Sequence, residues 1–399
     1  MSSRLSYVWL ATRPGLGALT AARLLRALGS PEAVFAASRE TLTTLEACPM
    51  RKAQVDALCD KDTDAAARII ERCTKDGIQI ITLGDSAYPD RLRAIEDPPV
   101  VLYVRGRWPD FDVTPGIAVV GTRKATPYGL QTAERIGGAL GRAGFITVSG
   151  MALGADGAAH RGALRAGGLT VAVLAGGADV CYPPQHRSLM GDILLSGAIV
   201  SEYPPGTEPR GDHYHARNRI ISGLCVASVI VEAQDYRSGA LITARAALDQ
   251  GRDVYAVPGA LDAPQSAACN ELIEKGEAAL LRSPAALVRT YTGLLPAQSR
   301  PVPPPCPPKE RRPAVSAQRL AKTPAPRPAP AEKPSATLPD SLTGDERRIT
   351  ELVQEGVGTP EELIERCGLP APRVLSLVTL LEMDGVLRRE KGRLVPGQK

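Results

Sequence analysis

The chain has no CxxC pair, no GxGxxG or GxxxxGK[ST] pattern, and no apolar run approaching the ~20 residues that span a bilayer. Each absence removes a class of function. Without those glycine patterns, a dinucleotide lying on a bare glycine turn and nucleotide hydrolysis by a P-loop are not expected. No membrane span is expected either. The eight cysteines (Cys48, Cys59, Cys73, Cys181, Cys225, Cys269, Cys306 and Cys367) lie mostly in apolar surroundings such as LCVASVIV, as reduced thiols of a cytosolic, cytoplasmic protein do. The opening MSSRLSYVWLATRPG lacks a basic stretch followed by a full apolar run and a small-residue cleavage site, so a signal peptide is not expected. Net charge is also small. The 48 basic and 43 acidic residues leave a net +5, but residues 296–340 alone hold eight basic and three acidic side chains. The rest of the chain is neutral, and affinity for nucleic acid must come from local clusters.

At 399 residues the chain is long enough for two to three domains. Residues 1–85 are helical in pattern, with apolar residues at three- and four-residue spacing in LGALTAARLLRAL, PEAVFAASRETLTTL and AAARIIERCTKDG. The segment Pro14-Gly15-Leu16-Gly17 before a helix has two readings, half of a phosphate-binding helix-hairpin-helix or a plain interhelical turn. Within 86–292, short β-branched runs alternate with amphipathic helices: IAVVG, FITVSG, LTVAVLAGG, AIVSE, VASVIVEA and DVYAVPG. That order implies an α/β fold, an extended Rossmann-like, doubly wound, mostly parallel sheet covered on both faces. Residues 293–340 are proline-rich, with fourteen prolines from 296 onward, and are expected to be a disordered spacer. Residues 341–399 have the order of a winged helix, with Thr359, Pro360 and Glu362 marking a helix start. Its third helix, VLSLVTLLEMD, offers too few Arg, Lys, Asn or Gln to read base edges. The hairpin Arg388, Arg389, Lys391 and Arg393 could still touch phosphates, or the domain could bind protein.

Ligands of doubly wound sheets bind outside the carboxyl ends of the strands. The first loop there, Gly121-Thr122-Arg123-Lys124, joins two cations to converging backbone amides, which suits a phosphate. In the second, Ser149 and Gly150 can present N–H groups to an anion, and Asp156 is a helix cap or an orienter of Arg123. His160 on an AAH face fits a core histidine better than a base. In the third, Tyr182 beside two prolines is a stacking platform for a base or a packing lid. His213 and His215 lack the companions of a metal site, so no metal is expected. Arg217, Asn218 and Arg219 stand beside the apolar start of a strand, and Arg237, Ser238 and Gly239 open a helix at another strand end. Five cations exceed what one nucleotide needs and match a strand of nucleic acid, held by charge and by stacking.

VGTRKATPYG, SGMALGADGAAH, YPPQH, SEYPPGTEP, ARNRIISGL and EAQDYRSGALITARAALDQGRDVYAVPG resemble, in order, the blocks of the DNA-processing protein A (DprA, also called Smf) family. The resemblance is strong over about residues 85–290, and the helical start, similar to a SAM or helix-hairpin-helix domain, and the winged-helix end match arrangements found in that family. It implies a homodimer without catalytic residues or a cofactor, which binds single-stranded DNA, protects it and helps load the recombinase RecA during natural transformation. It also implies that Arg123 is the pocket arginine, with Lys124, Arg217, Asn218 and Arg219 as neighbours. One departure is Ala267-Ala268-Cys269-Asn270, where the family has a glycine before the Asn, and this leaves the loop shape there open. Two other functions compete. A phosphoribohydrolase-like nucleotide enzyme would need a PGGxGTxxE block, but AGGADVCYPP has no Glu at that place, and a transcription factor would need a basic third helix.

Overall fold

The computed structural model describes residues 2–235, 238–296, 344–390 and 393–397. Candidate Arg237, Lys391 of the hairpin and the proline-rich spacer from 297 onward lie outside the described residues. The chain divides into two compact units, Met1–Lys309 and Glu310–Lys399. Among the described residues no helix is long and apolar enough to cross a membrane.

Six helices open the first unit: α1 (Ser3–Ala11), α2 (Ala18–Leu28), α3 (Pro31–Ala36), α4 (Arg39–Thr44), α5 (Lys52–Cys59) and α6 (Asp64–Lys75). Trp9 anchors them. Its indole donates to the Asp60 carbonyl at 3.2 Å, lies edge-on to Phe35, and sits under both Arg13 and Lys61. The Pro14–Gly17 segment is the turn between α1 and α2, held by Gln54 donating to the Gly15 carbonyl at 3.0 Å. The stretch expected to be helical through residue 85 ends differently, because Gln79–Thr82 is the first strand of the main sheet.

That sheet contains β1 (Gln79–Thr82), β2 (Val101–Gly106), β3 (Gly116–Val120), β4 (Ile146–Ser149), β5 (Thr170–Leu174), β6 (Ala198–Ser201), β7 (Cys225–Ile230), β8 (Asp253–Ala256) and β9 (Ala279–Leu280). The order is β1-β2-β6-β5-β4-β3-β7-β8-β9. From β6 across to β9 every pair is parallel, while β2 runs antiparallel to both β1 and β6. Between the strands lie α7 (Asp90–Arg93), α8 (Pro127–Ala143), α9 (Ala155–Arg165), α10 (Arg187–Ser196), α11 (Gly211–Gly223), α12 (Gly239–Asp249) and α13 (Ala267–Glu274), and α14 (Pro284–Tyr291) follows β9.

The apolar strand β3 shows why helices cover both faces. Ile117 and Val119 point into a core with Ile136 and Leu140 of α8 and Leu287 of α14. Ala118 and Val120 point the other way, into a core with Ile220 and Ile221 of α11 and Leu241 of α12. Alternation with period two, apolar on both sides, requires two helical layers. The opening helices pack on the former side of the outer strands, where Tyr103, Ala172 and Ile199 join Trp9 and Leu24. Helices α8 and α9 touch backbone to backbone, since a Cβ at Gly137 would stand 2.1 Å from the Ala159 carbonyl oxygen.

The second unit has α15 (Gly344–Gln354), α16 (Pro360–Cys367), α17 (Ala371–Met383) and an antiparallel hairpin of β10 (Leu387–Glu390) and β11 (Arg393–Pro396). Thr359 caps α16, accepting from the Glu362 amide at 3.3 Å with Pro360 at the first position. Ile349, Leu363, Val374, Leu377 and Leu394 form its core.

His160 of α9 is a core residue, with Nδ1 2.7 Å from the Thr170 hydroxyl, and burial pushes its pKa down to about 3. In the unfolded chain an imidazole takes its proton near pH ~6.5. Between these values the unfolded state binds the extra proton, so stability is lost as pH falls through that window. In urea titrations from about pH 6 to about pH 4.5, His160→Gln is expected to reduce the slope of stability with pH by up to about 1.4 kcal/mol per unit. An unchanged slope would contradict a buried neutral imidazole.

Candidate nucleic-acid interface

Strand β3 has β4 on one side and β7 on the other, so the chain winds outward in opposite directions from this pair. Such a reversal leaves a crevice at the strands' carboxyl ends. A cleft of about 320 Å³ lies there, lined by Gly121, Thr122, Arg123 and Lys124 after β3, Asp156 of α9, Ser238 and Gly239 at the start of α12, and one face of α11.

The loop after β3 is held from the neighbouring strand. The Thr122 amide donates to the Glu232 carbonyl at 2.8 Å, and the Glu232 carboxylate accepts from the Thr126 amide at 2.9 Å and its hydroxyl at 2.5 Å. Thr126 in turn caps α8 through the Gly129 amide, with Pro127 at the first helical position. A Cβ at Gly129 would stand 2.2 Å from a Glu232 oxygen, so only glycine fits. Thus anchored, the loop leaves the Arg123 and Lys124 side chains exposed.

Tyr214, Arg217, Asn218 and Ile221 of α11 line the cleft together, at the i, i+3, i+4, i+7 spacing of one helical face. The Tyr214 ring has the Arg123 guanidinium 4.8 Å from its centroid and that of Arg217 at 6.0 Å. Tyr182, 48% exposed, stands 6.4 Å from Tyr214, ring to ring. Burial raises the Tyr214 pKa above its ordinary value, so the phenol is neutral. Arg217 lies below, donating to the Val173 carbonyl at 2.7 Å. Burial lowers its pKa, and the charge of Asp156 acts in the opposite direction. Burial raises the Asp156 pKa, opposed by Arg217 and by the amides of Ala152, Gly150 and Gly121. Asn218 braces the cleft by donating to the Gly239 carbonyl at 3.1 Å.

Several expectations are corrected. Arg217–Gly223 is the end of a helix, not the start of a strand. Arg219 therefore points away from the cleft, its guanidinium bound to both Glu202 oxygens at 2.8 and 2.9 Å and to Asp97 at 2.8 Å. Ser149 does not face the cleft either, since its hydroxyl donates to the Val119 carbonyl at 2.6 Å. The Gly150 amide is taken by Asp156 at 3.1 Å, so Asp156 orients this turn, and Arg123 pairs with the Tyr214 ring. Ala267–Glu274 is helix α13, with Asn270 making paired 3.1 Å hydrogen bonds to Gly259, so the departure from the family pattern lies in a helix. His213 stacks on Tyr203 at 3.9 Å and bonds the Ala175 carbonyl, while His215 is exposed.

In the second unit each described arginine of the hairpin has a carboxylate partner. Arg388 pairs with Glu390, Arg389 with Glu382 and Arg393 with Glu362. Helix α17 exposes Leu375 and Leu380, each 48%, a poor surface for phosphate or base edges.

Sequence reasoning missed Tyr214 and the role of Glu232. The signal for Tyr214 was its three-residue spacing from Arg217, which has meaning only on a helix. Nothing local marks Glu232, because its partner Thr126 is 106 positions away.

Residues 79–292 match the family model described as DNA recombination-mediator protein A, and residues 323–393 that of the DprA winged helix domain. The chain is 43% identical over 206 residues to Protein Smf of Synechocystis, a match spanning 51% of this chain and 52% of that protein. It is 38% identical to the DNA processing protein DprA of Bacillus subtilis, covering 53% of this chain and 71% of the other. The crystal structure of DprA from Streptococcus pneumoniae superposes with a TM-score of 0.62 at 31% identity, covering 72% of this chain and 98% of that one.

The two exposed cleft cations and the paired Arg219 should respond differently to truncation. Arg219→Ala leaves Glu202 without its main partner and is expected to cost about 3 kcal/mol in urea unfolding. Arg123→Ala should stay within about 0.5 kcal/mol of the parent. Equal stability of the two variants would contradict the buried pairing.

Proposed function

Because the chain belongs to the DNA recombination-mediator protein A family, we propose that it binds single-stranded DNA at the cleft between β3 and β7 and presents that strand to the RecA recombinase. The observation that carries this is that exposed Arg123 and Lys124 line one cleft with Tyr214, Arg123 lying over its ring and Tyr182 standing beside that ring, at the switch point of the sheet. Guanidinium and ammonium groups attract phosphates in any sequence, and aromatic faces stack on any base. We place Gly121, Thr122, Ser238 and Gly239 around the backbone of the strand, with Arg217 as the charge beneath it. Protection of incoming DNA follows from covering it, and the setting is the cytoplasm, with two copies of the chain acting as a homodimer.

The family is one of recombination mediators, so the reading is a binding protein without turnover. The competing nucleotide enzyme would need a free carboxylate in the loop after β5. The acidic residue there, Asp179, is occupied by Arg72 at 2.7 Å and the Gly206 amide at 2.8 Å.

The test is fluorescence anisotropy on labelled oligo-dT at stated salt. Tyr214→Ala is expected to lose about 1–3 kcal/mol of binding, and Arg123→Ala about 1.5–3 kcal/mol. The three cleft cations among the described residues, Arg123, Lys124 and Arg217, should contribute a slope of log affinity against log salt near about −2, at roughly −0.7 per phosphate. Arg123→Ala should also fail to speed RecA assembly on the same strand. Unchanged affinity in both variants would remove the site. Loss of all affinity on deleting residues 297–399 would move it to the second unit.

A further inference from the structure

A second depression, of about 1550 Å³, lies between α8, α9 and α14 on the face of the sheet opposite α11. Its size exceeds the ~300–1,000 Å³ of small-molecule sites, so it suits a polymer segment. The floor is apolar and shallow-sided, formed by Gly138, Ala139 and Val288 among others. None of the lining residues is aromatic, so bases entering it would find no ring to stack on. Around the floor stand Arg135, Arg142 and Arg289, all exposed and without an ion-pair partner among the described residues. The one lining carboxylate, Glu134, is taken by Arg165.

Three unpaired guanidinium forks above an apolar floor are complementary to a segment with carboxylates on its flanks and apolar side chains between them. The chain's own proline-rich stretch is no candidate, since residues 296–340 carry eight basic and three acidic side chains and would be repelled. We propose that this groove docks an acidic amphipathic segment of a partner protein, leaving the strand-end cleft free for DNA.

Panning a random dodecapeptide display library on the full-length protein tests this, with counter-selection on Arg142→Glu/Arg289→Glu. Enriched peptides are expected to combine Asp or Glu with Leu, Ile, Phe or Met. A synthetic copy should bind at least about tenfold more weakly to the charge-reversed pair, with oligo-dT affinity unchanged. Arg142→Gln/Arg289→Gln serves as a second pair if charge reversal lowers the melting temperature. No enrichment would overturn the proposal, as would purely acidic peptides that ignore the floor. So would a fall in oligo-dT affinity at unchanged melting temperature, which would make the groove part of a nucleic-acid track. Loss of dimerisation in either pair would make the occupant a second copy and also sink it.

Discussion

Just beyond the end of β7 the Glu232 side chain is 1% exposed, and its carboxylate takes both the amide and the hydroxyl of Thr126. A buried carboxylate persists only when hydrogen-bonded, and here its bonds lie at the N-terminus of α8, where the helix field favours negative charge. The consequences spread through the cleft. Thr126 is fixed as the cap, Gly129 must be glycine, and the Thr122 amide is drawn to the Glu232 carbonyl. With the loop tied at both ends, Arg123 and Lys124 are held outward at the switch point rather than folded back for ion pairing.

Helix α11 divides its charges in a way that depends on its geometry. Residues two apart are rotated by about 200° on a helix, whereas on a strand they share a side. Arg217 therefore faces the cleft with Tyr214 and Asn218, and Arg219 turns toward Glu202 and Asp97, where it joins α11 to the end of β6 and to the segment before β2. One arginine lies beneath the cleft and the other fixes the helix that carries it. In the second unit, by contrast, the hairpin arginines Arg388, Arg389 and Arg393 each meet a carboxylate of their own domain.

These details show what was legible in the residues alone. Strands β3 to β8 were visible because their continuous β-branched runs admit no other burial. The short β9 and the antiparallel β1 and β2 were not read, since the first has two residues and the others sit beside a helical stretch. Arg123, Lys124, Ser238 and Gly239 were legible as strand-end loops, and the structure brings them together. The error at Arg219 came from taking IISGL as part of a strand, because β-branched residues in HARNRIISGL mask the helical spacing of Tyr214, Arg217, Asn218 and Ile221. Ser149 and Gly150 misled for another reason. The Ser149 side chain is turned to the Val119 carbonyl, and the Gly150 amide, counted as free, is already taken by Asp156.

The central claim is that a single strand crosses the cleft between β3 and β7 with a base against the tyrosines of its rim. Photocrosslinking of an oligo-dT carrying one 5-iododeoxyuridine, followed by mass-spectrometric mapping of the adduct, tests it directly. The account predicts attachment at Tyr214 or Tyr182. Attachment confined to residues 344–397 or to the opening helices α1–α6 would contradict it.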